Sequence, residues 1–286
     1  MKIGIGLPNQ VRGTRPTLIP GWARRGEQAG FSTLATVGRI AYPGLMDTIA
    51  LAAAAATTTS IGLISDIMLG PVWPPVLLAK ETAAIDAISG GRLTLGLGIG
   101  IRPDDFIVEG LGMASRGQRF DRDLGIYRNV WKGQPVGGGP NPAVTPQTRE
   151  IPLVFGGTAP ASFERVARWG AGYVGGPVPA RRVATAFEAT RAAWAKAGRK
   201  GSPYLGAVAH FALGDTEQGR ANVWDYYRIT GDKGARRIAE GVATGAGQVK
   251  RTVTAFADIG ADELILLPTV GDIEEVTRLA DIVLCR

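Results

Sequence analysis

The chain has 286 residues, 45% of them hydrophobic and 20% charged, with a net charge of +7; this suits one large α/β domain or two ordinary ones. The positive charge is scattered, with no zinc-finger spacing and no basic run interleaved with aromatics, which argues against nucleic-acid binding and makes an anionic small molecule the better partner. No window reads as a membrane span, the first ten residues carry no apolar leader, and Cys285 has no second cysteine to pair with, so a cytoplasmic location is expected.

Short β-rich runs alternate with longer helical patterns. In chain order, a strand is expected at 2–7 (KIGIGL) and a helix over 17–29. A strand at 31–37 precedes a helix over 45–59. A strand at 61–67 precedes a helix over 75–88, where Leu77, Leu78, Ala84, Ile85 and Ile88 make an apolar face. The fourth strand, 93–99, runs into an extended loop at 100–120 and a helix over 121–131. A second long loop, 132–152, is rich in Gly and Pro. Strand 151–155 then pairs with helix 160–169, and strand 172–174 with helix 180–197. Strand 204–212 leads to a helix over 216–228, with Asp215 as its N-cap. Extra helix is expected within 231–258, before strand 262–267 and helix 272–284. Eight strands and eight helices predict an α/β fold, a single (β/α)8 TIM barrel spanning residues 1–286 as one domain.

Chemistry in such a barrel sits at the C-terminal strand ends. Those ends carry Asn9, Gly38-Arg39, Asp66-Ile67, Gly98 to Arg102, Gly156-Gly157-Thr158, Gly175-Gly176, His210 and Pro268-Thr269. A single histidine excludes a clustered metal-hydrolase site, and no metal is expected. The lysines fall at a strand start, on helices or in loops, so no Schiff-base lysine is placed. Only Asp66 stands well for a paired-carboxylate glycosidase. A rim so poor in acid–base groups suits a cofactor that brings its own chemistry.

Several rim residues have two readings. In "RLTLGLGIGIRPDDF" (92–106), Gly96, Gly98 and Gly100 either admit a neighbouring backbone or clear the floor of a ligand site. Gly156-Gly157-Thr158 before Pro160 either cradles a phosphate on free N–H groups or is a plain turn with Thr158 as N-cap. Arg39 either binds an anion and stabilises developing charge or pairs with a rim carboxylate such as Asp66 or Asp104. Asp66 either closes the third strand at a bulge or pairs with Arg39 or Arg102. His210 shares a strand face with Tyr204, Gly206 and Val208; it is either a proton carrier or a structural histidine. Trp22 and Trp73 either wall a substrate pocket or pack.

Taken together, "AGFSTLATVGR", "TTTSIGLISDIMLGPVWPPVLLAKETAAIDAISGGR", "SGGRLTLGLGIGIRPDDFIVEGLGMASRGQRFDRDLGIYRNVWKG", "IPLVFGGTAPASFERVARWGAGYV" and "GADELILLP" resemble, in order, segments of the luciferase-like monooxygenase superfamily. These are flavin- and deazaflavin-dependent barrel oxidoreductases. The resemblance implies a flat ring over the barrel mouth, with room left by Gly98 and Gly100. It implies a non-prolyl cis bond between Asp66 and Ile67 behind the ring. It places a phosphate at Gly156, Gly157, Thr158 and the Gly175-Gly176 turn. Coenzyme F420 is the favoured cofactor and FMN, with oxygen, the alternative. A catalytically inactive flavin-binding paralogue is a third reading. Many deazaflavin-using members carry Asp-His where this chain has Gly38-Arg39, so Arg39 and His210 become the catalytic candidates. A homodimer through the helices at 45–59 and 75–88 is also implied.

Overall fold

The computed structural model describes residues 1–138, 143–146 and 148–284. Residues within the Gly/Pro-rich loop, 139–142 and 147, and Cys285 lie outside them. The strands are β1 (Lys2–Gly6), β2 (Thr33–Thr36), β3 (Gly62–Ser65), β4 (Met68–Leu69), β5 (Leu93–Gly98), β6 (Leu153–Phe155), β7 (Gly172–Gly175), β8 (Tyr204–Phe211) and β9 (Glu263–Pro268). Every pairing is parallel. β1 pairs with both β2 and β9, while β3 and β4 both pair with β5, so the sheet closes on itself. β3 and β4 are the two halves of one barrel strand, which leaves the eight staves of the expected TIM barrel.

The helices are α1 (Leu18–Ala29), α2 (Asp47–Thr57), α3 (Pro75–Ser89), α4 (Asp104–Ile107), α5 (Arg116–Trp131), α6 (Pro160–Trp169), α7 (Ala180–Lys196), α8 (Thr216–Tyr227), α9 (Asp232–Glu240), α10 (Ala246–Asp258) and α11 (Glu274–Val283). Strand alternation sorts the core into two layers. Ala35, Ile64, Val154, Val174, Val208, Ile265 and Leu267 fill the barrel interior. Leu34, Leu63, Leu95, Leu97, Phe155 and Leu266 point outward and pack under the helices. Parallel strands buried on both faces explain the near-continuous apolar runs such as "ELILLP".

The differences from the expected elements have local causes. The third strand does not run unbroken through 61–67; it is interrupted at Asp66–Ile67. The fourth barrel helix starts at Arg116, five residues early, because its first turn is polar and faces loops. There Arg116 donates to the Gly100 carbonyl and Arg119 to the Pro71 carbonyl. The expected extra helix is α9, followed by α10. The loop at 100–120 holds the short α4. Asp215 caps α8 as expected, accepting from the Gln218 N–H. Trp22 is fully buried among core residues and donates to the Gly6 carbonyl at 3.0 Å, so it packs rather than walls a pocket.

Candidate active site

Parallel strands bring all their C-terminal ends to one mouth. Asn9 fastens two of them there. Its side-chain amide donates to the Val37 and Leu45 carbonyls and accepts from the Val37 N–H.

The Asp66–Ile67 peptide bond is cis, as the resemblance implies. Ile67 is partly exposed at the mouth. A Cβ on Gly156 would collide with Ile67 Cδ1, and one on Gly98 would lie 3.1 Å from Ile67 Cγ2. Two glycines on separate strands therefore seat this one side chain. Close packing is the found reading of Gly98: its missing side chain makes room for Ile67, which stays partly exposed at the mouth. Gly100 is needed for its left-handed φ of +73°, which turns the chain over the Phe106 ring. Gly100 thus shapes the loop rather than clearing space for a ring.

The turn after β6 is exposed. Among the described residues, no carbonyl accepts from the N–H groups of Gly157, Thr158 or Ala159. The N-cap of α6 is Ala159 and no side chain caps that helix. The reading of Thr158 as a plain N-cap therefore fails, because the helix begins one residue later, at Pro160. What remains is a helix entrance with free donors and an unengaged Thr158 hydroxyl, suited to an oxyanion. In the next turn the two glycines differ. Gly175 is buried, its absent Cβ replaced by Val183 of α7, whereas a Cβ on Gly176 would meet nothing within 4 Å. Only Gly176 faces open space.

Arg39 is 2% exposed and each of its three guanidinium nitrogens has a partner. Nε donates to Asp105 and Nη2 to Asp104 at 2.5 Å. Further donations reach the carbonyls of Tyr226 and Ala41. The ion-pair reading of Arg39, with Asp104 as one of the expected carboxylates, is the one found: all three guanidinium nitrogens donate to carboxylates or carbonyls. The partners lie in the loop after β5, and Asp66 is not among them. Asp105 also accepts from the Ile40 and Ala41 N–H groups, so one buried carboxylate gathers three donors. Gly38 next to it leaves no room for a side chain. A Cβ there would sit 2.6 Å from the Ile67 carbonyl and 2.8 Å from an Asp47 carboxylate oxygen.

Asp66 is buried and makes no ion pair, with Oδ2 lacking a partner. Burial, together with the Glu263 carboxylate, pushes its pKa up to about 7. His210 points into the barrel side of β8, as the period-two pattern predicts, since Val208 and Tyr204 of the same face pack in the interior. Its Nε2 lies 3.3 Å from the Tyr227 hydroxyl. Burial holds its pKa down to about 4, so the imidazole is neutral at pH 7.

Sequence reasoning missed the aromatic group over the mouth. The Arg102 guanidinium lies 4.8 Å from the Tyr226 ring and 5.1 Å from the Tyr227 ring. Tyr226 also packs edge-on against Tyr42. The pair Tyr226-Tyr227 at the end of α8 was a visible signal, but nothing local says that α8 folds back over the strand ends. Leu7, Val37, His210, Tyr226, Tyr227 and Leu267 line a small cavity under it.

Among the described residues there is no cluster of three or more metal-ligating side chains, and no helix is long and apolar enough to cross a membrane. The chain is similar to several known proteins. An uncharacterised protein of Mycobacterium tuberculosis is 29% identical over 175 residues, which covers 51% of this chain and 61% of that one. Three solved structures share the fold. Monooxygenase RslO1 from Streptomyces bottropensis has a TM-score of 0.78 and 22% identity, covering 99% of both chains. An F420-dependent secondary alcohol dehydrogenase, in complex with an F420-acetone adduct, has a TM-score of 0.78 and 16% identity over 99% of this chain and 98% of that one. The oxygenating constituent of 3,6-diketocamphane monooxygenase from Pseudomonas putida, in complex with FMN, has a TM-score of 0.74 and 14% identity over 99% and 95%. The profile of the luciferase-like monooxygenases matches residues 1–279, and with that match across the barrel this chain belongs to the luciferase-like monooxygenase family.

Proposed function

We propose that the chain is an oxidoreductase that uses a flavin-type cofactor to move a hydride to or from a small organic substrate, with coenzyme F420 favoured. The observation that carries this reading is Ile67, a partly exposed apolar platform seated between Gly98 and Gly156 at the barrel mouth. Beside it stands a turn with unpaired N–H groups. That combination fits a flat ring carrying a phosphate. Asp66 and Ile67 would back the ring, with Gly98 and Gly156 at its edges. Gly157, Thr158 and Gly176 would hold the phosphate, and Gly100 would shape the adjoining loop. When bound, the ring supplies the two-electron chemistry that no side chain here offers.

The chain's own residues bind, enclose and manage protons. Arg102, Tyr226 and Tyr227 wall the mouth and exclude water. Arg39 is a positioning residue that fixes the loop bearing Arg102 through Asp104 and Asp105. Asp66, with its pKa near 7, can hold a proton at neutral pH. His210 is neutral there and acts with the Tyr227 hydroxyl as acceptor or donor of a hydrogen bond.

The net charge of +7 supports the F420 reading, since that cofactor is a polyanion. Gly38-Arg39, which departs from the Asp-His pair of many F420 users, favours FMN with oxygen instead. Purified protein given reduced F420 and, separately, reduced FMN distinguishes the two. Ring oxidation by small ketones without oxygen supports the first reading. Oxygen uptake that depends on reduced FMN supports the second. Binding of either cofactor without turnover would leave a flavin-binding paralogue and overturn the enzymatic proposal.

A further inference from the structure

A second cleft, of about 520 Å³, opens beside the mouth between the loop leading into α7, the end of β8, and helices α9 and α10. It begins at Pro177, next to the open glycine Gly176, and reaches His210. Its lining includes Arg182, Arg237 and Arg251, one from each of the three helices, against a single carboxylate, Glu240. The three arginines form no ion pair and no side-chain hydrogen bond with any described residue. Elsewhere the contrast is plain. Arg236, the immediate neighbour of Arg237, pairs with Asp232, and Arg228 pairs with Asp225. A residual charge of about +2 is thus concentrated in one concave site.

From this we infer that the cleft is an oxyanion subsite, binding a phosphate or carboxylate carried by the molecule that occupies the mouth. The inference rests on the proposed cofactor reading for the identity of that molecule, but not for the anion itself. Three elements separated in sequence converge there, so the site is a product of the fold rather than of a basic run. Guanidinium groups match the planar, two-pronged geometry of both anions. The charge has two sources to separate: the carboxylates of the cofactor's tail beyond the phosphate held at the Gly157–Thr158 turn, or an acidic group on the substrate.

The test uses the full chain and the variant R182Q/R237Q/R251Q. All three side chains are exposed, so the fold is expected to hold, and the single variants guard against loss of the triple. Riboflavin and the tail-less deazaflavin Fo carry the ring without the phosphate, and FMN and F420 carry both. If the cleft holds the tail, F420 binds the triple variant roughly tenfold more weakly or worse, while FMN, whose single phosphate sits at the Gly157–Thr158 turn, binds as before, as do riboflavin and Fo. If it holds a substrate anion, all four bind unchanged. In that case inorganic phosphate raises the melting temperature of the wild type at low salt but not that of the variant. Phosphate stabilising both proteins equally or neither, with cofactor affinities unchanged, would overturn the inference. If the wild type binds none of the four ring compounds, the cofactor reading fails, and the phosphate comparison still decides this one.

Discussion

His210 and Asp66 show how burial rather than residue type decides a side chain's role. An ordinary histidine is half-charged at about pH 6.5, whereas His210 stays mostly neutral down to about pH 4. Asp66 moves the other way, toward 7. The two have opposite effects on stability. As pH falls from 6.5 to 4, unfolded chains protonate His210 while folded ones do not, so this residue's contribution to stability is lost in that window. Asp66, and Asp47 which burial also pushes up to about 7, keep a proton in the folded state that the unfolded chain releases above about pH 4. Their effect is to lower stability as pH rises through that range. Denaturant titrations of wild type and His210→Gln across pH 4 to 7 isolate the histidine. The wild type is expected to lose up to about 3 kcal/mol relative to the variant on going down; parallel curves would show that His210 is not held neutral. At the same scale, Gly157 is a poor place to test the phosphate turn. Its φ is +112° and a Cβ would lie 2.6 Å from the Ser162 hydroxyl, so any substitution there strains the backbone. Thr158→Asp instead places a carboxylate at the turn on a residue that is not a glycine of positive φ.

Among the elements, the β5–α4 connection is the one whose purpose was hidden. Its acidic pair, Asp104-Asp105, read as loop carboxylates, and Arg39 read as one of two things sixty-odd positions away. In the fold they form a buried ion pair that ties the ends of barrel strands β2 and β5 together under α8. Arg39→Met leaves Asp105 buried without its cation, which is expected to cost about 3–5 kcal/mol; Asp104→Asn, at the more exposed partner, is expected to cost much less. Chemical denaturation of both variants checks this, and equal small losses would show that Arg39 is not the loop's anchor. The barrel itself was legible because its signals are periodic and local: apolar strands, helical patterns between them, and glycine at several strand ends. The cis bond was legible only through resemblance, since "SIGLISDIMLGP" contains nothing that demands it. The pairing of Arg39 with Asp104 was one of the two readings the sequence offered; its second partner Asp105, the seating of Ile67 between Gly98 and Gly156, and the lid of Tyr226 and Tyr227 were not legible. Each depends on which strand ends become neighbours when the sheet closes, and no short window holds that information.

For the whole molecule, two features of the surface remain to be matched with partners. Ile49 of α2 and Leu77 and Ile88 of α3 are about half exposed, on adjacent helices that are poor in charge. We propose that this face joins two copies into a homodimer. Light scattering at micromolar concentration should give twice the chain mass of 30.0 kDa, falling to one on Ile49→Glu/Leu77→Glu. A monomeric wild type would contradict this. The other feature is the mouth, where the central claim lies: a flat, phosphate-bearing flavin-type ring rests on Ile67 with its phosphate at the Gly157–Thr158 turn. The most direct measurement is an equilibrium titration of wild type and Thr158→Asp with F420 and with FMN, followed by the cofactor's fluorescence. The account predicts that wild type binds F420 more tightly than FMN and that Thr158→Asp weakens the bound cofactor by about 1–3 kcal/mol without altering the fold. Absence of binding to either cofactor by folded wild type, or equal affinity in the two proteins, would contradict it.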